Sequence, residues 1–324
     1  MSVQKGKRNW KKWAGNNSAL IAFIVLFLLA VILKGTTFLS VSNILNILRN
    51  NAVIGIIALG MTLIIITGGI DLSVGSQLAF LGIIIITTFN ATQNILLTIL
   101  AGIVSAFAFG LITGLLVARF NIPAFITTLG SMSIFRSVAQ YWMNGGGVMI
   151  NGDKSSTYLA ISNTDLFGVV PMPIIIWIVA AIIIYIISQH TATGRHIYAV
   201  GSNEKAAQLA SIHVAKVKCF AYTISSLLVM LAAIVETSRL GSVNSASSGS
   251  SYEMDAIAAA VIGGTSMAGG KGKIGFTVLG TLTLGIINNM MNLLGINSFL
   301  VEAIKGAIII IAVLLQMLLN KEQP

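Results

Sequence analysis

The residues most able to do chemistry in this chain are a few polar side chains set inside long apolar runs. The stretch Thr67–Ser76, TGGIDLSVGS, places the carboxylate of Asp71 among glycines and serines, with apolar sequence on both sides. Ionisable groups at membrane depth cost on the order of 3 kcal/mol each, so they are rare and usually mark special sites. Asp71 therefore marks either a break between two membrane spans or a buried polar site.

A second candidate group lies further along the chain, inside another apolar run. Ser133, Arg136 and Gln140 stand at positions i, i+3 and i+7, which places them on one face of a helix. We interpret that face as a seam of hydrogen bonds between helices, as part of an outer vestibule, or as one wall of a polar pathway.

Amide side chains supply the third candidate group. Asn288 and Asn292, at i and i+4, lie near the end of an apolar run and can both donate and accept hydrogen bonds. They are suited either to meeting the hydroxyl groups of a solute or to capping a helix that ends near Gly295. Glu302 and Lys305, at i and i+3, are expected to pair with each other.

The motifs that would indicate an enzyme or a nucleotide-binding protein are incomplete. The stretch Ala268–Lys273, AGGKGK, has the glycines and lysines of a phosphate-binding loop but lacks the hydroxyl residue that binds Mg²⁺. The histidines His190, His196 and His213 have no metal-ligand spacing. We therefore expect no catalytic activity, no metal and no cofactor on this chain.

Composition indicates what must position these residues. Apolar residues make up 56% of the 324-residue chain and charged residues only 9%, and the mean hydropathy is +0.93. A soluble domain carries roughly 25% charged residues. Runs such as Pro171–Ser188 do not alternate apolar and polar residues, which favours helices over a membrane β-barrel. The sequence therefore predicts an all-α integral membrane protein.

Charge-free apolar runs predict about ten transmembrane helices, since each span needs about 20 apolar residues. The runs lie at about 19–33, 51–67, 74–89, 95–118, 124–143, 172–188, 217–236, 256–267, 274–289 and 299–319. They form one predicted membrane domain, residues 19–320, with short tails at residues 1–18 and 321–324.

The distribution of basic residues predicts the orientation of these spans. Five lysines and arginines crowd the tail between Lys5 and Lys12, and such clusters mark the cytoplasmic side. An even number of spans then places both termini in the cytoplasm. The net charge of +10 is thus interpreted as a retention signal, and no nucleic-acid partner is expected.

Two glycine-rich breaks recur along the chain. The stretches Ile65–Gly82 and Ala260–Gly280 share a Gly-Gly pair, a run of small and polar residues and a later Leu-Gly. Both fall where the predicted topology turns at the cytoplasmic face. The similarity suggests two related halves, as in many transporters.

Residues 190–216 form a loop that we call the 190–216 segment. This segment is predicted to lie in the cytoplasm. Within it, NEKAAQLA offers Asn203 as an N-cap and Glu204 in the first turn of a short amphipathic helix. Such a helix could rest on lipid headgroups or dock into a groove of a partner protein. Glu204 and the small alanines fit a protein groove better than an anionic membrane surface.

Three of these stretches resemble the ribose-type permease family of bacterial ABC sugar importers. They are Gly60–Ser76, Gly194–Ile212 and Tyr252–Gly280, and the likeness runs over nearly the whole chain. The resemblance implies a permease fold with broken and short helices in the bacterial inner membrane. It also implies a second permease copy or a sister permease, an extracytoplasmic sugar-binding protein and a cytoplasmic ATPase that carries ATP and Mg²⁺.

The resemblance also implies roles for particular residues. The 190–216 segment resembles the family's coupling segment, which puts five residues at the ATPase contact: Gly201, Asn203, Glu204, Ala206 and Ala207. The translocation pathway or its helix breaks would then include Gly68, Gly69, Asp71, Ser73, Arg136, Asn288 and Asn292. For Asp71 and Ser73 we favour capping of the helix after the break over direct contact with sugar.

Two other functions stay open from the sequence. A self-contained secondary transporter or channel for sugar would work without ATP, but such a transporter often uses paired acidic residues at mid-membrane, which we do not find. A membrane-embedded enzyme would need a catalytic pair that the sequence does not offer.

Overall fold

The computed structural model describes residues 17–321 as an assembly of thirteen helices and two small two-stranded sheets. The helices are α1 (Ser18–Leu39), α2 (Val41–Ile66), α3 (Val74–Thr92), α4 (Ile95–Ala118), α5 (Ala124–Trp142), α6 (Ser155–Asn163), α7 (Met172–His190), α8 (Ala192–Ser202), α9 (Glu204–Leu209), α10 (Val214–Leu240), α11 (Tyr252–Ile262), α12 (Ile274–Leu293) and α13 (Ser298–Lys321). The strands are β1 (Gly147–Met149), β2 (Asp165–Leu166), β3 (Val170–Pro171) and β4 (Ser242–Asn244). The predicted tails at 1–18 and 321–324 lie almost entirely outside the described residues.

The prediction of an all-α membrane protein is confirmed, whereas the number of spans agrees only loosely with the predicted ten. Among the described residues, seven helices are long and apolar enough to cross a membrane: α1, α2, α3, α4, α7, α10 and α12. The chain is therefore a multi-pass membrane protein. The other three predicted spans coincide with α5, α11 and α13.

The first two spans are longer than the apolar runs indicate. Helix α1 continues to Leu39 through a kink at Gly35, and only Ser40 separates it from α2. The predicted outer connection is therefore helical. Its polar residues are accommodated because they bond to distant helices: Asn43 pairs with Asn289 of α12.

The predicted eighth span, residues 256–267, coincides with helix α11, which is too short to cross a bilayer by itself. Helix α11 has only 11 residues, about 16 Å at 1.5 Å per residue, whereas the hydrocarbon core is about 30 Å thick. Irregular backbone lies on both sides of it. We call residues 67–73, between α2 and α3, the first break. Residues 245–251, which precede α11, form the serine-rich loop. Residues 263–273, which follow α11, form the second break.

Helix α2 forms the centre of the molecule. Every residue from Asn51 to Ile66 is buried, and the helix packs against α7, α10, α11 and α12. A helix that is apolar all round belongs in the middle of a bundle, because it offers no polar face to solvent.

Helices α4 and α10 meet along a tightly fitted contact, the α4–α10 seam. A Cβ atom placed on Gly110 would lie 2.7 Å from Cα of Thr223, and one on Gly114 would lie 2.8 Å from Cα of Cys219. Small residues every fourth position let membrane helices approach this closely. Between them, the Ser226 hydroxyl donates to the Ala106 carbonyl at 2.6 Å.

The end of the bundle opposite the 190–216 segment is covered by the two small sheets and α6. Strand β1 pairs antiparallel with β4, with Val148 opposite Val243, and β2 pairs with β3. Tyr158 of α6 is buried and bonds the Thr237 hydroxyl of α10 at 2.7 Å. The β1–β4 sheet positions the start of the serine-rich loop.

Candidate functional site

The first break begins where α2 runs out of helical geometry. Gly68 has φ +81°, a left-handed conformation that glycine adopts without a Cβ clash. The amides of Thr67, Gly68 and Gly69 still bond to carbonyls of the last turn of α2, so its carbonyls are not left unsatisfied. Beyond them, the Tyr222 hydroxyl of α10 donates to the Ile70 carbonyl at 3.1 Å.

Asp71 closes the first break from inside the protein. It is only 4% exposed, and its Oδ1 accepts hydrogen bonds from the Ser73 amide at 2.8 Å and the Ser73 hydroxyl at 2.6 Å. These are the contacts of a capped break. The Ser73 oxygen accepts no hydrogen bond from the amides at the start of α3, and its hydroxyl donates to Asp71. The predicted capping by the Ser73 oxygen is therefore wrong.

The serine-rich loop lies on the first turn of α3, just after the first break. A Cβ atom placed on Gly75 would lie 2.1 Å from the Gly249 carbonyl oxygen and 2.6 Å from Oε2 of Glu253. The two backbones are thus in direct contact. Non-helical backbone at membrane depth is stable only when it is buried in protein or lines a polar cavity.

Arg136 holds this loop in place from α5. Its Nη1 donates to the carbonyls of Ser245 at 2.8 Å and Ser248 at 2.9 Å. The other two members of the predicted polar face do not join it: Ser133 is exposed and bonds the Leu129 carbonyl of its own helix, and Gln140 is half-buried. Of the three residues of the predicted face, only Arg136 bonds to the serine-rich loop.

The predicted amide pair of α12 is not a pair in the structure. Asn292 is exposed, and Asn288 is half-buried with its Oδ1 lacking a hydrogen-bond partner among the described residues. Asn289 between them is the residue that joins helices, through bonds to Asn43 in both directions at 2.7 and 3.2 Å. Backbone bonds, such as Gly295 N–H to the Asn292 carbonyl, close the end of the helix.

The predicted pairing of Lys305 with Glu302 is also wrong. Lys305 of α13 instead pairs with Asp255 of α11 at 3.0 Å. Both side chains are mostly buried, with 18% and 13% of their surfaces exposed. The charge pair therefore ties the short helix α11 to the last helix of the chain.

The 190–216 segment contains two helices, α8 and α9. The predicted helix at 203–209 is confirmed: Asn203 Oδ1 accepts the Ala206 amide at 3.0 Å as an N-cap. Helix α8 was missed, although the Thr191 hydroxyl that caps it by accepting the Gly194 amide was a visible start signal. Glu204 pairs with Lys218 of α10 at 2.7 Å.

The five residues predicted for the coupling contact divide between two faces. Asn203, Glu204 and Ala206 are exposed, whereas Ala207 is 4% exposed and packs inward. Gly201 faces the breaks: a Cβ atom placed on it would lie 1.6 Å from the Ile66 carbonyl oxygen. Leu209, which the sequence reasoning did not single out, is 89% exposed at the end of α9.

A polar cavity of about 240 Å³ is bordered by the first break, the 190–216 segment, α10 and the connection between α4 and α5. Its lining includes Gly68, Gly69, Tyr222, Glu204 and Lys218. Two of the predicted pathway residues thus border a space that polar groups line.

The sequence reasoning also missed Gln77, one turn into α3. It is 1% exposed, and its Oε1 has no hydrogen-bond partner among the described residues. The available signal was a lone amide in an apolar run one turn after Ser73, since such a group is costly to bury unbonded.

Comparison with protein families gives a match over most of the chain. Residues 43–313 match the family described as "Branched-chain amino acid transport system / permease component". No solved structure matches the chain.

Individual relatives resemble the chain over nearly its full length. The ribose import permease protein RbsC of Escherichia coli (strain K12) is 39% identical over 98% of both chains. RbsC of Bacillus subtilis (strain 168) is 40% identical over 90% of this chain and 91% of its own. The L-arabinose transport system permease protein AraH of Escherichia coli (strain K12) is 33% identical over 91% of this chain and 88% of its own.

Proposed function

Since the chain belongs to the branched-chain amino acid transport system / permease component family, we propose that it is the membrane-spanning subunit of an ATP-driven sugar importer. Its cargo is a monosaccharide, ribose or a related sugar, moved into a bacterial cell across the inner membrane. An extracytoplasmic binding protein delivers the sugar, and a second permease copy or a sister permease completes the channel.

The observation that carries this proposal is the similarity to ribose import permease proteins over 98% of both chains. The family description names branched-chain amino acids, so family membership alone would leave the cargo open. The relatives of 39–40% identity are ribose permeases and one of 33% is an arabinose permease, which favours a sugar.

In this proposal the exposed face of α9 docks on a cytoplasmic ATPase, and ATP and Mg²⁺ belong to that partner. Leu209 offers an apolar anchor, and Ala206 leaves room for a close approach by the partner. Gly201 and Ala207 support this face from behind. Asn203 fixes the start of the helix, and Glu204 ties it to α10.

The translocation pathway is proposed to run along the two breaks. Gly68, Gly69, Asp71 and Ser73 shape the first break, and Arg136 fixes the serine-rich loop above it. Asn288 and Asn292 lie toward the opposite end of α12. The single membrane domain, residues 19–320, would have both tails in the cytoplasm, on the side of the 190–216 segment.

Reconstitution tests the proposal directly. The chain is placed in liposomes with the ATPase and the binding protein of the same import system, and uptake of labelled ribose, arabinose and leucine is measured. We expect uptake of a sugar only when ATP, ATPase and binding protein are all present, and no uptake of leucine.

Two results would contradict this function. Uptake by the chain alone that stops when ion gradients are collapsed would identify a self-contained secondary transporter. Uptake of leucine in preference to both sugars would keep the importer class and overturn the cargo.

A further inference from the structure

Three backbone stretches meet at the end of the bundle that carries the 190–216 segment, and we call this contact the glycine joint. It consists of Ile66–Gly68 at the end of α2, Gly201–Ser202 at the end of α8, and Gly269–Gly270 in the second break. The 190–216 segment therefore touches the second break and also the end of α2, where the first break begins.

The joint has no room for side chains. A Cβ atom placed on Gly201 would lie 1.6 Å from the Ile66 carbonyl oxygen, and one on Gly269 would lie 2.8 Å from the Gly201 carbonyl oxygen. Cβ atoms do not approach other atoms this closely, so the contacts require glycine. Backbone in direct contact cannot absorb a displacement by changing side-chain rotamers.

A hydrogen bond joins the two breaks at the same point. The Gly270 amide donates to the Ile66 carbonyl at 2.9 Å, which gives a partner to an acceptor at the end of α2. Gly269 and Gly270 adopt left-handed conformations, with φ +84° and +71°, that present this amide. A shift of the second break therefore pulls on the end of α2.

A side-chain contact adds a second connection one turn earlier in α8. The Tyr198 hydroxyl donates to the Gly272 carbonyl of the second break at 2.9 Å and accepts from Gln189 at 2.8 Å. Burial raises the pKa of the Tyr198 hydroxyl, so it remains a protonated donor at physiological pH.

We propose that Gly201 is a positioning residue through which movement of the 190–216 segment is transmitted to both helix breaks together. The inference rests on the proposed function, because it assumes that a partner ATPase moves this segment. Gly201 is thereby reassigned from the partner contact to the inner side of the segment, with Tyr198 as its supporting contact.

The test measures sugar uptake and ATP hydrolysis in the same proteoliposomes, using the complete importer with its binding protein. Gly201→Ala should lower the number of sugars moved per ATP hydrolysed by about tenfold, a size typical of coupling between sites. Tyr198→Phe removes one hydrogen bond and should lower the same ratio by about threefold. The matched control is Gly275→Ala in α12, where a Cβ atom would meet nothing within 4 Å, and its ratio should equal that of the wild type.

The outcomes separate coupling from structural damage. If uptake and ATP hydrolysis fall in proportion in assembled variants, the ratio is unchanged and the inference is overturned. If Gly201→Ala does not assemble, the Tyr198→Phe variant decides. A wild-type number of sugars moved per ATP in that folded variant would overturn the inference. Absence of ATP-driven uptake in the wild-type importer would instead reject the proposed function, before any variant is compared.

Discussion

The two glycine-rich breaks end helices at the same place in the bundle, but different groups close them. In the first break the buried carboxylate of Asp71 accepts two hydrogen bonds from Ser73. In the second break the backbone closes on itself, with the Ser266 amide bonding the Lys271 carbonyl at 2.9 Å, and the lysine side chains are exposed. Similar glycine-rich sequence thus forms an internal turn in one case and a surface turn in the other.

The helices that lead into the breaks are also held differently. Helix α2 is long and is buried by apolar contacts from Asn51 onward. Helix α11 is short, and a charge pair between Asp255 and Lys305 ties it to α13. A short helix buries less apolar surface, so a polar contact contributes more to its placement. Whether the breaks reflect two related halves of the chain stays a prediction.

The largest effect should come from removing the charge that holds α11. Lys305→Ala leaves the Asp255 carboxylate unpaired and mostly buried, which should destabilise the protein by about 3 kcal/mol. This loss of stability is measured by unfolding the protein in mixed detergent micelles that contain an increasing fraction of denaturing detergent. Lys305→Met combined with Asp255→Leu removes both charges and should recover most of the loss. Glu302→Ala is the control, and a loss there equal to that of Lys305→Ala would favour the pairing first expected from sequence.

Asp71→Ala should have the next largest effect, because it removes the acceptor of two hydrogen bonds that Ser73 donates inside the protein. We expect a loss of about 2 kcal/mol and a lower yield of folded protein, with little change in solute preference. Asp71→Asn keeps an acceptor oxygen and should retain most of the yield, and Asp165→Ala tests an exposed carboxylate. Normal yield with an altered solute preference would instead make Asp71 a binding residue.

A smaller effect should link the two helices that flank the breaks. The hydroxyls of Thr62 in α2 and Thr277 in α12 lie 2.8 Å apart. A double-mutant cycle with Thr62→Val and Thr277→Val should give a coupling energy of about 0.6 kcal/mol, the average for such bonds between membrane helices. Thr98→Val, at a buried threonine that bonds its own helix, should show no coupling to Thr277. An equal coupling energy for that control would mean that the measured value does not come from the hydrogen bond between Thr62 and Thr277.

The smallest effect should come from the ion pair between Glu204 and Lys218. Their side chains are 44% and 19% exposed, so solvent screens the attraction. Glu204→Gln should cost about 0.3 kcal/mol at low salt, and 1 M salt should abolish the difference because the screening length falls to about 3 Å. A salt-independent loss in the same unfolding assay would show that Glu204 acts through packing instead.

The sequence predicted those parts of the fold that depend on local pattern. Apolar runs of span length located most long helices, since the bilayer requires every backbone group to be bonded within its own helix. Asn203 followed by Glu204 predicted α9, because the cap and first turn are contiguous in sequence.

The parts that sequence did not predict depend on partners far away in the chain. Asn43, near the start of α2, bonds Asn289, which lies 246 positions later in the chain. The glycine joint is similarly invisible in the sequence, since a glycine such as Gly201 shows conformational freedom but not which carbonyl will approach it. Asp71 was noticed as unusual, yet its use of the Ser73 hydroxyl as a donor needed three-dimensional geometry.

The α4–α10 seam has a consequence for how much of the molecule can move independently. Gly110 and Gly114 bring α4 within backbone contact of α10, so neither helix can slide past the other without a collision. Helix α10 begins at Val214, and four residues separate it from the end of α9 at Leu209. If a partner moves α9 as proposed, α4 and α10 would follow as one rigid pair, and the distance between Gly114 and Cys219 across the seam would stay the same.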